Sequence, residues 1–192
     1  MRITLAYFQM VGWLDRLSGL LPLMARVVFA GVLAPYFWAS AATKWESFPF
    51  NLSIGAYAQI FPRAFEAAGY DVAALSFWHK AIAMAGSYAE IILPLALILG
   101  LATRWAALGM MGFVLVQTAV DIWGHQASAA TIGMWFDSDS GSLLADQRAL
   151  WAVLLAILVL RGAGALSMDR LFAGRFGIHN AGTPPPPPLG RI

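Results

Sequence analysis

The chain has no cysteine in its 192 residues, which excludes disulfides, iron–sulfur ligation, thiolate metal sites and CxxC redox chemistry within the chain itself. Charge is nearly as scarce. Asp, Glu, Lys and Arg make up 11% of the sequence and the formal net charge is +2, too small and too scattered for the basic stripe that nucleic acid requires. No GxGxxG fingerprint for a nucleotide or flavin is present. The histidines number three, His79, His125 and His179. A transmembrane haem needs two of them buried on facing helices, whereas His79 and His125 sit near segment ends. No haem, flavin or metal is therefore expected. The short apolar run before Asp15 and Arg16 has no small-residue cleavage site and does not read as a signal peptide.

What the chain does have is apolar bulk. Hydrophobic residues make up 60% of it, with eight tryptophans, the composition of a single domain dissolved mostly in lipid. Four stretches are candidates for crossing a bilayer: 22–43, 79–100, 104–123 and 145–160. At about 1.5 Å per residue the first three match a hydrocarbon core of about 30 Å, and the fourth must borrow Asp146, Gln147 and Arg148. The predicted fold is an all-α integral membrane four-helix bundle over 22–162, preceded by an interfacial segment, 1–21. Arg2, Arg16, Arg26, Arg104, Arg161, Arg170, Arg175 and Arg191 fall on one side and Lys44, Arg63, Lys80 and Arg148 on the other. By the positive-inside rule that places both termini in the cytoplasm and turns the loops 44–78 and 124–144 outward. Their many aromatics suit chain lying at the headgroup level.

The turns carry their own signals. Gly100 can close the second helix in a left-handed cap and Thr103 can cap the third, making the two antiparallel neighbours. The run Arg161-Gly-Ala-Gly-Ala stops the fourth helix, after which Ser167 can cap a short amphipathic helix within 163–178, with Leu171, Phe172 and Phe176 opposing Arg170 and Arg175. The five prolines at 184–188 predict a disordered polyproline tail over 179–192.

One residue stands out. Glu90 lies in the middle of an apolar stretch, where a carboxylate costs about 2.5 kcal/mol or more and so faces protein or water. Ala83, Gly86, Ser87 and Glu90 recur at spacings of three and four, a small-residue face that admits a neighbouring backbone. Pro94, lacking an amide hydrogen, leaves the Glu90 carbonyl without its helical donor. Gln117, Asp121 and His125 make a second stripe at spacings of four, and Tyr36, Ser40 and Lys44 a third. Together they predict a polar pocket open outward, with Glu90 at its floor and Lys44 and Asp121 nearer its mouth. Glu90 is then either a proton-transfer acid or a structural acid paired with Lys44 or Gln117, and both readings stay open. Lys44 and Asp121 also read as snorkelling anchors. Asp137-Ser-Asp139-Ser-Gly141 lacks the third acid and closing glutamate of a calcium loop and reads as a turn. Gly109, Gly112, Met110 and Met111 read as packing residues.

Arg26 opening the first helix, Gly31, Lys44, Glu90, the turn Gly100-Leu-Ala-Thr103-Arg104, Asp146-Gln-Arg-Ala-Leu-Trp151 and Gly162-Ala-Gly164-Ala-Leu-Ser167-Met-Asp169 together resemble the DoxX family. The resemblance runs from about Leu23 to Phe172 and implies a four-helix bacterial inner-membrane protein. A relative, DoxD, is the membrane subunit of a thiosulfate:quinone oxidoreductase, so the resemblance also implies a quinone-facing subunit that needs a catalytic partner. Tyr36 and Gln117 could serve as donors to a quinone and Glu90 as its proton-transfer acid. The alternative is a non-catalytic scaffold that docks a partner in metal or oxidative-stress handling, favoured by the aromatic loops and the basic C-terminal segment. A small transporter is disfavoured because four helices without an internal repeat offer no alternating-access machinery short of oligomerisation.

Overall fold

The computed structural model describes residues 2–175. His179, Phe176, Arg191 and the prolines 184–188 lie outside them. The described chain is almost wholly helical, and four of its helical runs are long and apolar enough to cross a membrane: Tyr7–Ala42, Phe77–Leu99, Thr103–Gly124 and Leu143–Arg161. Broken into regular pieces, these are α1 (Arg2–Leu17), α2 (Leu21–Val28) and α3 (Ala34–Ala42) in the first run, α6 (Phe77–Leu99), α7 (Thr103–Ala119) and α9 (Arg148–Arg161). Short elements fill the connections: strands β1 (Trp45–Ser47) and β2 (Asn51–Leu52), helices α4 (Ile54–Ile60), α5 (Pro62–Ala67) and α8 (Ala129–Ile132), and a final α10 (Met168–Arg175).

The first run is longer than expected, because the segment before residue 22 is helical and continues into the first span through a 3-10 turn at Ser18–Leu20. At 36 residues the run would measure about 54 Å on ideal rise, well beyond the hydrocarbon core. Only α2 and α3 enter the bundle. α1 leaves Tyr7, Phe8, Met10, Trp13 and Leu14 exposed, as befits a helix at a membrane boundary. The break between α2 and α3 is a π turn at Phe29–Leu33, which ends two residues ahead of Pro35, a residue with no amide hydrogen with which to continue the α ladder.

α6, α7 and α9 pack against the first span around Phe29, Phe37, Leu97, Met110, Leu155 and Leu158, all at or near zero exposure. Met110 is a packing residue, and Gly109 lets Leu93 come within 3.2 Å of where its Cβ would be. Outward, Val32, Ile92, Leu95, Leu150 and Val153 are exposed, an apolar belt suited to lipid. This is an all-α integral membrane four-helix bundle.

At the end with the short turns, Gly100 adopts φ +67° and closes α6. Thr103 does not cap α7. Ala102 takes the left-handed position before the helix, and the Asp169 carboxylate, reaching over from α10, accepts from the amides of Ala102 (2.6 Å) and Thr103 (2.9 Å). A carboxylate placed there also meets the positive end of the helix dipole. Ser167 caps α10 in turn, its hydroxyl accepting from the Arg170 amide at 3.2 Å. Buried Arg26 fastens this end, donating to the carbonyls of Leu97 and Ile98 in the last turn of α6 and of Ala163 and Leu166 in the segment between α9 and α10.

At the opposite end the long loop 44–78 does more than lie at the headgroups. It folds into a small cap: β1 pairs antiparallel with β2, and Leu52, Ala56, Tyr57, Phe65 and Leu75 form a second core closed by Ala83 of α6. Burial pushes the Tyr57 hydroxyl above its ordinary range. Aromatics that stay outside this core, Phe48, Phe50, Phe77 and Trp78, remain exposed and suit the interface. In the second loop Asp137 accepts from the Asp139 amide (3.0 Å) and Asp139 from the Gly141 amide (2.9 Å), a pair of side-chain turns.

Candidate functional site

Glu90 projects from the middle of α6 toward the end of α3. Lys44 lies two residues beyond that helix, its amide bonded to the Ala41 carbonyl and its own carbonyl to the Ser53 amide of the cap. With the cap folded over it, the Lys44 side chain is buried. It turns inward, and its Nζ donates to Glu90 Oε1 (3.0 Å) and Oε2 (2.9 Å) and to Ser40 Oγ (2.8 Å). Ser40 Oγ donates to Glu90 Oε1 at 3.2 Å. Lys44 is 4% exposed and Glu90 3%. Lys44 is therefore at the floor with Glu90 and not a snorkelling anchor near the mouth. Such a pair holds because each charge is the other's solvent, and removing either partner strands the other.

Beside the pair lies a cavity of about 480 Å³ between α6 and α7, within the range of ligand pockets. Ser40, Lys44, Glu90, Gln117, Asp121 and His125 all line it. Tyr36 does not: it faces away, packs on Trp151 with ring centroids 5.3 Å apart, and accepts a hydrogen bond from Gln117 Nε2 at 2.9 Å. That bond orients the amide and leaves Gln117 Oε1 buried without a partner. Asp121 is held by Arg148 of α9, whose Nη2 lies 2.5 Å from Oδ2. Among the described residues these are the two ion pairs formed. A π turn at Val120–Gly124 carries Asp121 and ends at His125, so the stripe departs from α-helical spacing just where the two residues find different partners. His125 Nε2 contacts the Gln59 carbonyl at 2.9 Å.

Several wall residues lie outside the three polar stripes. Gln59 and Ile60 of α4 roof the cavity, and Gln59 Nε2 also donates to Thr43 Oγ1 at 3.1 Å. No periodic signal marks α4 as a roof, since its placement depends on the cap's own core. Arg148 does carry a signal, being a basic residue inside an apolar span opposite an acid on another, but its place near the start of that span equally suits a helix-end charge. Gly86 and Gly112, expected at close helix contacts, have nothing within 4 Å of where a Cβ would stand and instead open the cavity wall. Ala83 and Ser87 carry the close contact, both fully buried, with Ser87 Oγ bonded to the Ala83 carbonyl at 2.8 Å.

The fold and the site thus define a class: a four-span membrane bundle with a capped cavity beside a buried lysine–glutamate pair. The DoxX family model matches residues 21–126, more than half of the chain, and the chain belongs to the DoxX family. The match covers the first run from α2 onward, the second and third spans and every lining residue of the cavity beside Lys44 and Glu90, but ends before Arg148. No curated protein and no solved structure matches.

Proposed function

We propose that this DoxX protein is the membrane subunit of a redox complex in the bacterial inner membrane, with both termini in the cytoplasm, and that the cavity beside Lys44 and Glu90 holds a quinone head group. The observation that carries the reading is the volume of about 480 Å³ at a buried titratable pair, with the small residues Gly86 and Gly112 leaving its wall open. The donor set suits such a ligand. Gln117, with an amide hydrogen beyond the one donated to Tyr36, offers a donor, while Ile82, Leu93, Phe113 and Val116 offer apolar surface to a ring. A bound quinone accepts two electrons and two protons at its ring oxygens. Lys44 Nζ and Glu90 Oε2, 2.9 Å apart, share a hydrogen bond along which a proton can pass toward the cavity. Asp121 and His125 line the same cavity, beside the Gln59 roof. With neither cysteine nor a nucleotide fingerprint, the chain takes its electrons from a partner protein.

The test is to purify the tagged full-length chain from its native membrane in mild detergent and identify proteins and extracted quinone together by mass spectrometry. Near-stoichiometric quinone with an oxidoreductase partner supports the proposal. A non-redox partner without quinone favours the second reading, a non-catalytic scaffold. That reading draws on the complete internal pairing of Lys44 with Glu90 and on exposed loop aromatics such as Phe48, Phe50 and Phe136.

A further inference from the structure

Donors and acceptors around the cavity are unequally engaged. The three hydrogens of Lys44 Nζ face four acceptors, both Glu90 carboxylate oxygens and the hydroxyl and carbonyl of Ser40, so none is left for a ligand. His125 Nε2 meets the Gln59 carbonyl, so that nitrogen carries the ring hydrogen and Nδ1 of the neutral imidazole is an acceptor. On the α7 wall the donor left over is the second amide hydrogen of Gln117.

Asp121 supplies a free acceptor. Arg148 Nη2 engages one of its oxygens, Oδ2, at 2.5 Å, and Arg148 Nη1 is itself fixed on Thr118 Oγ1 at 2.7 Å. The other oxygen, Oδ1, has no hydrogen-bond partner among the described residues, and it is not sealed: the Asp121 side chain is 29% exposed against 4% for Arg148. The cap covers the loop end of this stretch, with Pro62 2.9 Å from where a Gly124 Cβ would stand and Gln59 held by His125, so the exposed part of Asp121 opens on the cavity that it lines. Arg148 balances the charge. The cavity therefore meets a neutralised ion pair with one acceptor to spare, which calls for a hydrogen-bond donor and not for a cation.

Quinone and hydroquinone differ at just this point. The oxygens of either form can accept from Gln117, but those of a quinone carry no hydrogen, whereas each hydroquinone hydroxyl has one to give. A quinone oxygen beside Oδ1 sets two acceptors against each other. Asp121 lies four residues from Gln117, about 6 Å on ideal rise, comparable with the distance between the two oxygens across a quinone ring.

We propose, resting on the quinone reading above, that Asp121, oriented by Arg148, is the specificity residue that makes this site hold the hydroquinone in preference to the quinone. Tighter binding of the reduced form raises the potential of the bound two-electron couple by about 30 mV for each tenfold ratio of dissociation constants, and so favours electron transfer from the partner protein onto bound quinone.

The full-length protein, purified in mild detergent and stripped of endogenous ligand, is equilibrated by anaerobic dialysis with decylubiquinone or its dithionite-reduced hydroquinone, and bound ligand is counted against protein-free micelles. The hydroquinone should bind at least tenfold more tightly than the quinone. Asp121→Asn, whose amide oxygen still accepts from Arg148 and whose amide nitrogen replaces Oδ1 with a donor, should bring that ratio to one or below. Because Asp121→Asn leaves the Arg148 charge unbalanced, Asp121→Leu/Arg148→Met is measured beside it; it removes acceptor and charge together and should bind both forms equally. A residue that only supported the fold would weaken both forms alike and leave the ratio unchanged. Equal binding of the two forms by the wild type, or tighter binding of the quinone, overturns the proposal and leaves the quinone site standing. A preference that persists in the variants overturns the role of Asp121, and failure of the wild type to bind either form overturns the proposal together with the quinone reading.

Discussion

At the residue scale, the chain concentrates its few charges into pairs and clasps. Glu90→Gln leaves Lys44 buried without a counter-charge, and Lys44→Met does the same to Glu90; each should cost about 3–5 kcal/mol. The double variant Lys44→Met/Glu90→Leu should recover most of that loss, because an apolar pair of similar volume avoids both desolvation penalties. Thermal unfolding in detergent reads the cycle, and a double variant no more stable than the singles would mean that the two side chains do not act as a pair. Arg26 is a second such point: Arg26→Lys keeps the charge but cannot span the same carbonyls, and a loss of about 2 kcal/mol or more is predicted by the same assay. Glu90 itself is legible in the sequence, as is its pairing with Lys44 as one of two options. That Lys44 lies at the floor is not legible, because only the folded cap buries it.

At the element scale, helix ends and π turns decide what meets what. Asp169 caps α7 across 66 residues, a relation that local patterning cannot reveal, so the sequence points to the nearby Thr103 instead. Asp169→Ala should destabilise the bundle by about 1–2 kcal/mol, while Thr103→Ala, which removes only a buried hydroxyl without a partner, should cost little or be neutral. If the order of the two losses is reversed in thermal melts, the cap has been misassigned. Gly100 fares worse under substitution. Gly100→Ala forces a side chain into a left-handed position and to within 2.6 Å of Ser167 Cβ, so a loss of about 2 kcal/mol or more is predicted. Helix existence and type are plain from apolar length, and the Gly100 turn from its glycine. The π turn at Val120–Gly124 is not, since a four-residue spacing written on a sequence assumes an unbroken α ladder.

At the scale of the whole molecule, the four spans follow from hydropathy because in lipid every backbone group must be satisfied within a helix. The cap's second core is hidden by the same aromatic richness that suggests a headgroup layer. Absence of cysteine makes topology directly testable: single cysteines placed at Ser138 and at Arg170 report the two sides without background. The positive-inside assignment predicts labelling of Ser138→Cys by an impermeant maleimide in intact cells and of Arg170→Cys only after lysis. Labelling in the opposite order would invert the bundle and open the cavity toward the cytoplasm.

The central claim, that the space beside Lys44 and Glu90 is a quinone site, rests on volume that Gly86 leaves free. Its most direct test compares quinone content of the wild-type protein and Gly86→Leu purified in parallel, with unfolding temperatures measured on both. The account predicts near-stoichiometric quinone in the wild type and loss of about tenfold or more in Gly86→Leu at nearly unchanged unfolding temperature, since the added side chain occupies space that no residue fills. Equal quinone in the two proteins, or none in either, would contradict it.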